Sequence, residues 1–213
     1  MILSTGINPA RGLLLALLAL ASAGHADTHG CRGEGPQGKR VLWGDLHVHT
    51  GFSMDAFVFG ERITPADAFA FARGAPLDTD YGRRYQLERP LDFAAVTDHA
   101  ETLGIIGSCS GAGREDGYCQ ALAAASDGSS PAAFREYFLP ALAGASPICD
   151  ADPQRCQVAA LDLWQRAIEA ADMANVPCRF TAFIGSEWSP SPGGLHQHRN
   201  LIYRSDRVPA RPP

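Results

Sequence analysis

Two short apolar segments of the chain end in residue types that bind metal ions. Residues 44–50 read GDLHVHT, and residues 95–99 read AVTDH. His47 and His49 are two residues apart, and a β-strand places such residues on one face, about 6–7 Å from each other. Imidazole nitrogens bind Zn²⁺ at about 2.1 Å, so both rings can point at one ion. The spacing indicates a metal site, and metal-dependent hydrolysis is the chemistry that such a site suggests.

The elements that must position these residues alternate between strands and helices. The sequence predicts strands over 41–46, 91–97, 181–187 and 200–203, with a helix that Thr64 caps and Gly74 ends. This order predicts an α/β fold with a parallel sheet. Polar residues follow the carboxyl ends of the predicted strands, where α/β proteins build their sites. These residues are His47, His49, Asp98, His99 and Glu187.

The longest predicted helix begins at Asp152 and Pro153 and ends near Asn175. Its helical spacing predicts a buried stripe, formed by Val158, Leu161, Leu163, Trp164 and Ile168. Trp43 and Trp188 are also expected in the core. Residues 101–150 are rich in Gly, Ser and Cys, and they are predicted to form an insertion that carries a short helix from about Pro131.

The N-terminus has the layout of a secretory signal peptide. Arg11 precedes an apolar run over 13–23, which is too short to span a bilayer, and small residues follow it. We expect a signal peptide over 1–26 and a flexible segment over 27–39. The mature protein is then periplasmic or secreted, without stable membrane association.

The six cysteines fit an oxidising compartment, because an even number behind a signal peptide favours disulfides. The simplest pairs are local: Cys109 with Cys119, and Cys149 with Cys156. Free buried thiols are the alternative. A thiolate zinc site is not expected, since the chain has no Cys-x-x-Cys.

The net charge of −5 and the lack of a basic cluster argue against a nucleic-acid partner. An acidic protein can still bind an anionic substrate where metal ions dominate the local charge. Imidazole and carboxylate ligands suit Zn, Mn or Fe. The only lysine, Lys39, precedes the first strand, which argues against a carbamylated lysine as a bridging ligand.

Several segments together resemble one known superfamily. They are the motif at 44–50, SMDA at 53–56, PLDF at 90–93, TDHAE at 97–101, IGSEW at 184–188 and HRN at 198–200. This set resembles the PHP (polymerase and histidinol phosphatase) superfamily, in particular a secreted or periplasmic branch labelled a domain of unknown function. The resemblance covers about residues 40–205.

The resemblance implies a distorted seven-stranded β/α barrel that holds two or three divalent ions. It implies as metal ligands His47, His49, His99, Glu187 as a bridging carboxylate, and His198. His196 remains the alternative to His198. The closing motifs of the superfamily, another histidine and an Asp-x-His, have no counterpart before Pro213. We therefore expect the N-terminal portion of a barrel that is incomplete at its C-terminus.

Catalytic roles are predicted for Asp98 and for Arg199, whose guanidinium can hold an oxyanion by two hydrogen bonds. A surface salt bridge is an equal alternative for Arg199. Ligand imidazoles need a partner on the second ring nitrogen, and the candidates are Asp45, Asp55 and Asp98.

The predicted function is hydrolysis of a small anionic phosphate ester by a metal-bound hydroxide. One alternative is a sulfatase or another ester or amide hydrolase on the same metals. A second is a non-catalytic metal-binding fragment. Because ligands of the superfamily are missing, we expect the 213-residue chain itself to be weakly active or inactive. The sequence indicates no oligomeric state.

Overall fold

The computed structural model of the protein describes residues 40–79, 82–125, 134–142, 145–189 and 197–212. The predicted signal peptide over 1–26, the segment over 27–39 and His196 lie outside this part of the chain. The strands are β1 (Gly44–Val48), β2 (Leu77–Asp78), β3 (Arg84–Tyr85), β4 (Phe93–Val96), β5 (Thr181–Trp188) and β6 (Arg199–Ile202).

Four of these strands form one curled half-barrel sheet in the order β1-β4-β5-β6. β1, β4 and β5 are parallel, which confirms the predicted α/β class for this part of the sheet. β6 is antiparallel to β5, so the expectation of a wholly parallel sheet was wrong for the last strand. The link from Trp188 to Arg199 is shorter than the dozen or more residues that a parallel crossover needs. β2 and β3 form a separate antiparallel pair.

The α-helices are α1 (Met54–Val58), α2 (Pro65–Ala72), α3 (Leu103–Ser108), α4 (Gly117–Ala124), α5 (Leu139–Leu142), α6 (Pro147–Ala151) and α7 (Pro153–Ala174). Short 3₁₀ turns lie at Ala100–Thr102 and Gly111–Glu115, and a π turn lies at Phe134–Phe138. The two main helix predictions are confirmed. The side chain of Asp152 caps α7 by accepting a hydrogen bond from the backbone N–H of Arg155, as expected of an N-cap residue.

The core lies where α2, α3 and α7 pack on the sheet. Leu163 and Trp164 of α7 are buried as predicted, but Val158 is 59% exposed. The buried face of α7 includes Cys156, and Val158 lies about 200° around the helix from it. The prediction that Trp43 and Trp188 lie in the core was also wrong. Trp43 precedes the edge strand β1 and is 57% exposed, and Trp188 is 39% exposed.

Both predicted local disulfides are confirmed. Cys109 is bonded to Cys119, and Cys149 is bonded to Cys156. The first bond joins the end of α3 to α4, and the second joins α6 to α7. Among the described residues, no helix has the length and apolar character needed to cross a membrane.

Helix α2 begins with a capping box, and its loss should be measurable. The side chain of Thr64 accepts a hydrogen bond from the N–H of Asp67, and the carboxylate of Asp67 accepts one from the N–H of Thr64. We expect Thr64→Ala to lower the free energy of unfolding by about 1 kcal/mol. Urea unfolding measures this change, with Thr64→Ser, which keeps the capping hydroxyl, as the control. An equal loss in the control would contradict the assignment.

Candidate metal centre

Four segments of the sheet bring histidines and one glutamate to the same edge. His47 lies in β1 and His49 directly follows that strand, while His99 follows β4. Glu187 is near the end of β5. His198 immediately precedes β6, and because β6 runs antiparallel to β5, its start lies at the edge where β5 ends.

Glu187 is the centre of this cluster, and its side chain is fully buried. One carboxylate oxygen, Oε2, lies 3.0 Å from Nε2 of His47 and 2.7 Å from Nε2 of His49. The other oxygen, Oε1, contacts Nδ1 of His198 and accepts a hydrogen bond from the Ser189 hydroxyl at 2.8 Å. The two oxygens therefore face different sets of ring nitrogens.

His49 lies between two carboxylates. Its Nδ1 is 2.8 Å from Oδ2 of Asp55, and its Nε2 is 2.7 Å from Oε2 of Glu187. Ionised carboxylates only accept hydrogen bonds, and a neutral imidazole has a single N–H to donate. This arrangement therefore requires a positive charge at His49, which either a second ring proton or a metal ion can supply.

His99 completes the cluster from the β4 side. His99 is 2% exposed, and its buried Nδ1 has no hydrogen-bond partner among the described residues. Nε2 of His99 lies 3.8 Å from Oδ2 of Asp55. The backbone N–H of His99 donates to the hydroxyl of Ser53 at 3.1 Å, which ties this residue to the loop after β1.

Backbone pairing sets His99 beside Glu187. The two residues form a parallel bridge beyond the end of β4, and the N–H of Glu187 donates to the carbonyl of Asp98 at 3.0 Å. The neighbouring strands thus continue their pairing into the cluster. The site is built on the sheet, and its ligand spacing is fixed by strand geometry.

Three overlapping groups in the cluster can each hold a cation: His47, His49 and Glu187; His49, Asp55 and His99; and His99, Glu187 and His198. The ligand atoms in each group lie within 4.8 Å of one another. Two ligands that are each about 2.1 Å from one ion lie about 3–3.4 Å apart. The distances of 3.0 and 2.7 Å from Oε2 of Glu187 are close to this range. Imidazole and carboxylate groups are donors that metal ions bind in proteins.

Comparison with known families identifies the chain at the family level. The model of the family described as "Protein of unknown function (DUF3604)" matches residues 36–212. The chain belongs to this family. No curated protein and no solved structure matches it.

The electrostatics of this DUF3604 chain favour a charged Glu187. Burial opposes ionisation, but the hydrogen bond from Ser189 and the surrounding histidines hold the pKa of Glu187 at about 2. Burial lowers the pKa of His99, against the attraction of Asp55 and Glu187. At His49 burial acts in the same direction, but hydrogen bonds and charges from Asp55 and Glu187 outweigh it and raise the pKa.

The five residues predicted from sequence as metal ligands lie in one cluster, and their role as ligands stays a prediction: His47, His49, His99, Glu187 and His198. Asp55, predicted as a partner of a ligand ring, contacts His49 in that way and also belongs to one cation group. Asp45 was proposed for the same role, but its carboxylate accepts the backbone N–H of His47 instead.

Asp98 is buried directly behind the cluster. It accepts hydrogen bonds from the backbone N–H of Thr50 at 2.6 Å and from the Thr50 hydroxyl at 2.8 Å. Burial raises the pKa of Asp98 to about 6, against the lowering effect of these hydrogen bonds. Its contacts therefore fasten the loop that begins at His49, and a catalytic role for Asp98 stays a prediction.

The structure does not bring Arg199 into the cluster. Arg199 pairs with Trp188 across β5 and β6, and its guanidinium lies 5.2 Å from the centre of the Trp188 ring. Side chains alternate along a strand, so this pair lies on the opposite face from Glu187. The oxyanion role of Arg199 stays a prediction without support from this geometry.

Two residues that sequence reasoning assigned no role also support the site. Ser189 donates its hydroxyl to Glu187, and the N–H of Ser189 donates to Oε1 of Glu101 at 3.1 Å. Ser189 lies two residues after Glu187, and Glu101 lies two residues after His99. The alternation that paired His47 with His49 also points to Ser189, which directly follows β5, but not to Glu101, which lies in a 3₁₀ turn.

Proposed function

We propose that this chain carries the metal centre of a metal-dependent hydrolase that acts on small phosphate esters. One observation carries the proposal. The fully buried carboxylate of Glu187 faces the ring nitrogens of His47 and His49 with one oxygen and that of His198 with the other. A buried carboxylate among histidines is costly without a compensating positive charge, and divalent ions supply that charge.

The overlap of the cation groups favours a phosphate ester as the substrate. Two of the three groups share Glu187, and two share His99, so neighbouring ions can be held side by side. Pairs of metal ions about 3.5–4 Å apart are typical of phosphatases and nucleases. When bound, such ions lower the pKa of water to about 7 and offset the charge that develops on the ester.

The residues of the chain hold and orient this centre. Asp55 accepts from Nδ1 of His49 and fixes the direction of its Nε2. Ser189 holds Oε1 of Glu187, and Asp98 anchors the loop after β1 through Thr50. Trp188, exposed next to Glu187 along β5, lies on the other face of the sheet.

The PHP resemblance agrees with this function. The segments that carry it supply His47, His49, His99, Glu187 and His198, which are the residues that converge. The curled sheet is compatible with one side of a β/α barrel. We therefore propose that the DUF3604 fold is a PHP-type barrel that holds two or three divalent ions.

The proposed location is the periplasm or the exterior of the cell. The two disulfides are compatible with an oxidising compartment. A small anionic ester that diffuses to the site is the proposed partner, and the net charge of −5 argues against a nucleic-acid partner.

The test compares turnover of 4-nitrophenyl phosphate and 4-nitrophenyl sulfate by chelated protein and by protein reloaded with Zn²⁺, Mn²⁺ or Fe²⁺. We expect weak phosphate hydrolysis that disappears on chelation and returns with metal. Equal turnover after chelation would refute a metal-dependent reaction.

The remaining outcomes separate the alternatives. Metal-dependent turnover of the sulfate alone would identify a sulfatase on the same site. Tight metal binding without turnover of either ester would favour a non-catalytic metal-binding chain. Metal content is measured in the same samples, so that inactive protein with bound metal is distinguished from protein that never bound it.

A further inference from the structure

A cavity lined by arginines lies beside the loop that follows β1. The candidate metal centre on the same loop is instead built from histidines and carboxylates. The volume of the cavity is about 720 Å³, within the range of about 300–1,000 Å³ that is usual for small-molecule sites. Gly51 and Phe52, from the loop that follows His49, form one wall. The Cys109–Cys119 disulfide and residues of α4 and α7 form the others.

The charge of this cavity differs from that of the whole chain. Its described lining includes Arg62, Arg114 and Arg166 and no acidic residue. The chain as a whole has 23 acidic residues against 18 basic ones. Three guanidinium groups around one concave surface attract anions, and each can donate paired hydrogen bonds to an oxyanion.

Two of these arginines are held in place by aromatic rings. The guanidinium of Arg62 lies 4.0 Å from the centre of the Phe57 ring, and that of Arg166 lies 4.7 Å from the centre of the Phe52 ring. Both rings are buried. Arg62 also donates to the carbonyl of Phe57 at 2.6 Å. Such contacts reduce the entropy that an arginine loses when it binds a ligand.

Two of the three arginines, Arg166 and Arg114, are weakly compensated within the described part of the chain. Nη1 of Arg166 lies 3.8 Å from Oδ2 of Asp162, whose side chain is 66% exposed. A solvent-exposed ion pair of this length contributes little. Arg114, on the turn at Gly111–Glu115, makes no hydrogen bond or ion pair within the described part of the chain. The carboxylate of Glu61 accepts the backbone N–H groups of Arg62 and Ile63.

We propose that this cavity binds a small organic molecule through a phosphate group, at a site separate from the metal centre. The three arginines bind the oxyanion, and the volume leaves room for an organic part next to the apolar lining. The site shares with the metal centre the loop after β1 and helix α1, which carries Asp55 of the cation cluster and Phe57 of the cavity lining. The proposal does not depend on hydrolysis at the metal centre, because binding here requires no metal.

Calorimetric titration of the full chain with phenyl phosphate in the presence of a chelator tests this proposal. Chelation removes competition from the metal centre and prevents hydrolysis there. We expect saturable binding that Arg114→Gln and Arg166→Gln each weaken by about tenfold, since each removes a charge-assisted contact. Arg166→Lys keeps the charge but loses the planar guanidinium that donates paired hydrogen bonds, so a smaller loss of affinity is expected.

Arg84→Gln is the matched control, because Arg84 is exposed on β3 and pairs with Asp78 away from the cavity. It should leave the affinity unchanged. Thermal melts verify that all variants fold. Absence of binding in chelator, or equal weakening by the control, would overturn the proposal. So would binding that appears only after metal is restored, since the anion would then be bound at the metal centre.

Discussion

Replacement of Glu187 by glutamine is expected to abolish metal binding at the two cation groups that contain Glu187. Glutamine keeps the size of the side chain but removes the charge and turns one oxygen into an N–H donor. That donor would face either the pair His47 and His49 or the nitrogen of His198. The loss should exceed the 10–100-fold or so that removal of an outer-shell partner costs. Calorimetric titration with Zn²⁺ and metal analysis measure it.

Thermal stability gives an independent measure of the same loss. Zn²⁺ at about 100 times its dissociation constant should stabilise the unmodified chain by about 2.7 kcal/mol. Glu187→Gln should lose this stabilisation, while its chelated form should still unfold cooperatively. Glu169→Gln is the matched control, since Glu169 is exposed on α7 and bonds to Gln165. Retained zinc affinity in Glu187→Gln would contradict the bridging assignment.

The sequence was sufficient to predict the elements that carry the site. Short apolar strands and strong helix-start signals depend on local interactions, so β4, α2 and α7 lie where they were expected. The sequence did not predict the direction of β6, which is antiparallel to β5. A four-residue strand pattern contains no information on direction, and the length of the preceding link decides it. That direction matters for the site because it brings His198 to the end of β5.

The convergence of the candidate ligands could be predicted because strand ends bring distant residues to one edge of a sheet. Their supporting contacts could not, since they depend on which side chain fills the space behind the ligands. Asp98 sits next to His99 in sequence, yet its carboxylate reaches Thr50 on the neighbouring strand end. Arg199 sits next to His198, yet strand alternation turns it to the opposite face. Adjacent positions in a strand are therefore poor evidence for a shared role.

Substitution of Asp98 is therefore expected to change the free energy of unfolding, and not the catalytic step itself. Asp98→Ala would leave the buried N–H of Thr50 without its acceptor and is expected to lower the free energy of unfolding by about 2–5 kcal/mol. Asp98→Asn should cost much less, because the amide oxygen can accept from the Thr50 N–H and the amide N–H can donate to the Thr50 hydroxyl. Urea unfolding in the presence of a chelator measures both changes.

The asparagine variant separates an anchoring role from a catalytic one. An anchor replaced by asparagine keeps the loop after β1 in place, so Zn²⁺ affinity should stay within about tenfold of the unmodified chain. Burial raises the pKa of Asp98 to about 6, so the folded protein takes up a proton between about pH 6 and pH 4 that the unfolded chain does not. The contribution of Asp98 to stability consequently rises as the pH falls through this range. The stability of Asp98→Asn relative to the unmodified chain should fall by the same amount, because the amide does not titrate. A pH-independent difference would contradict the raised pKa of Asp98. Loss of turnover in Asp98→Asn with full stability and metal content would assign Asp98 to catalysis instead.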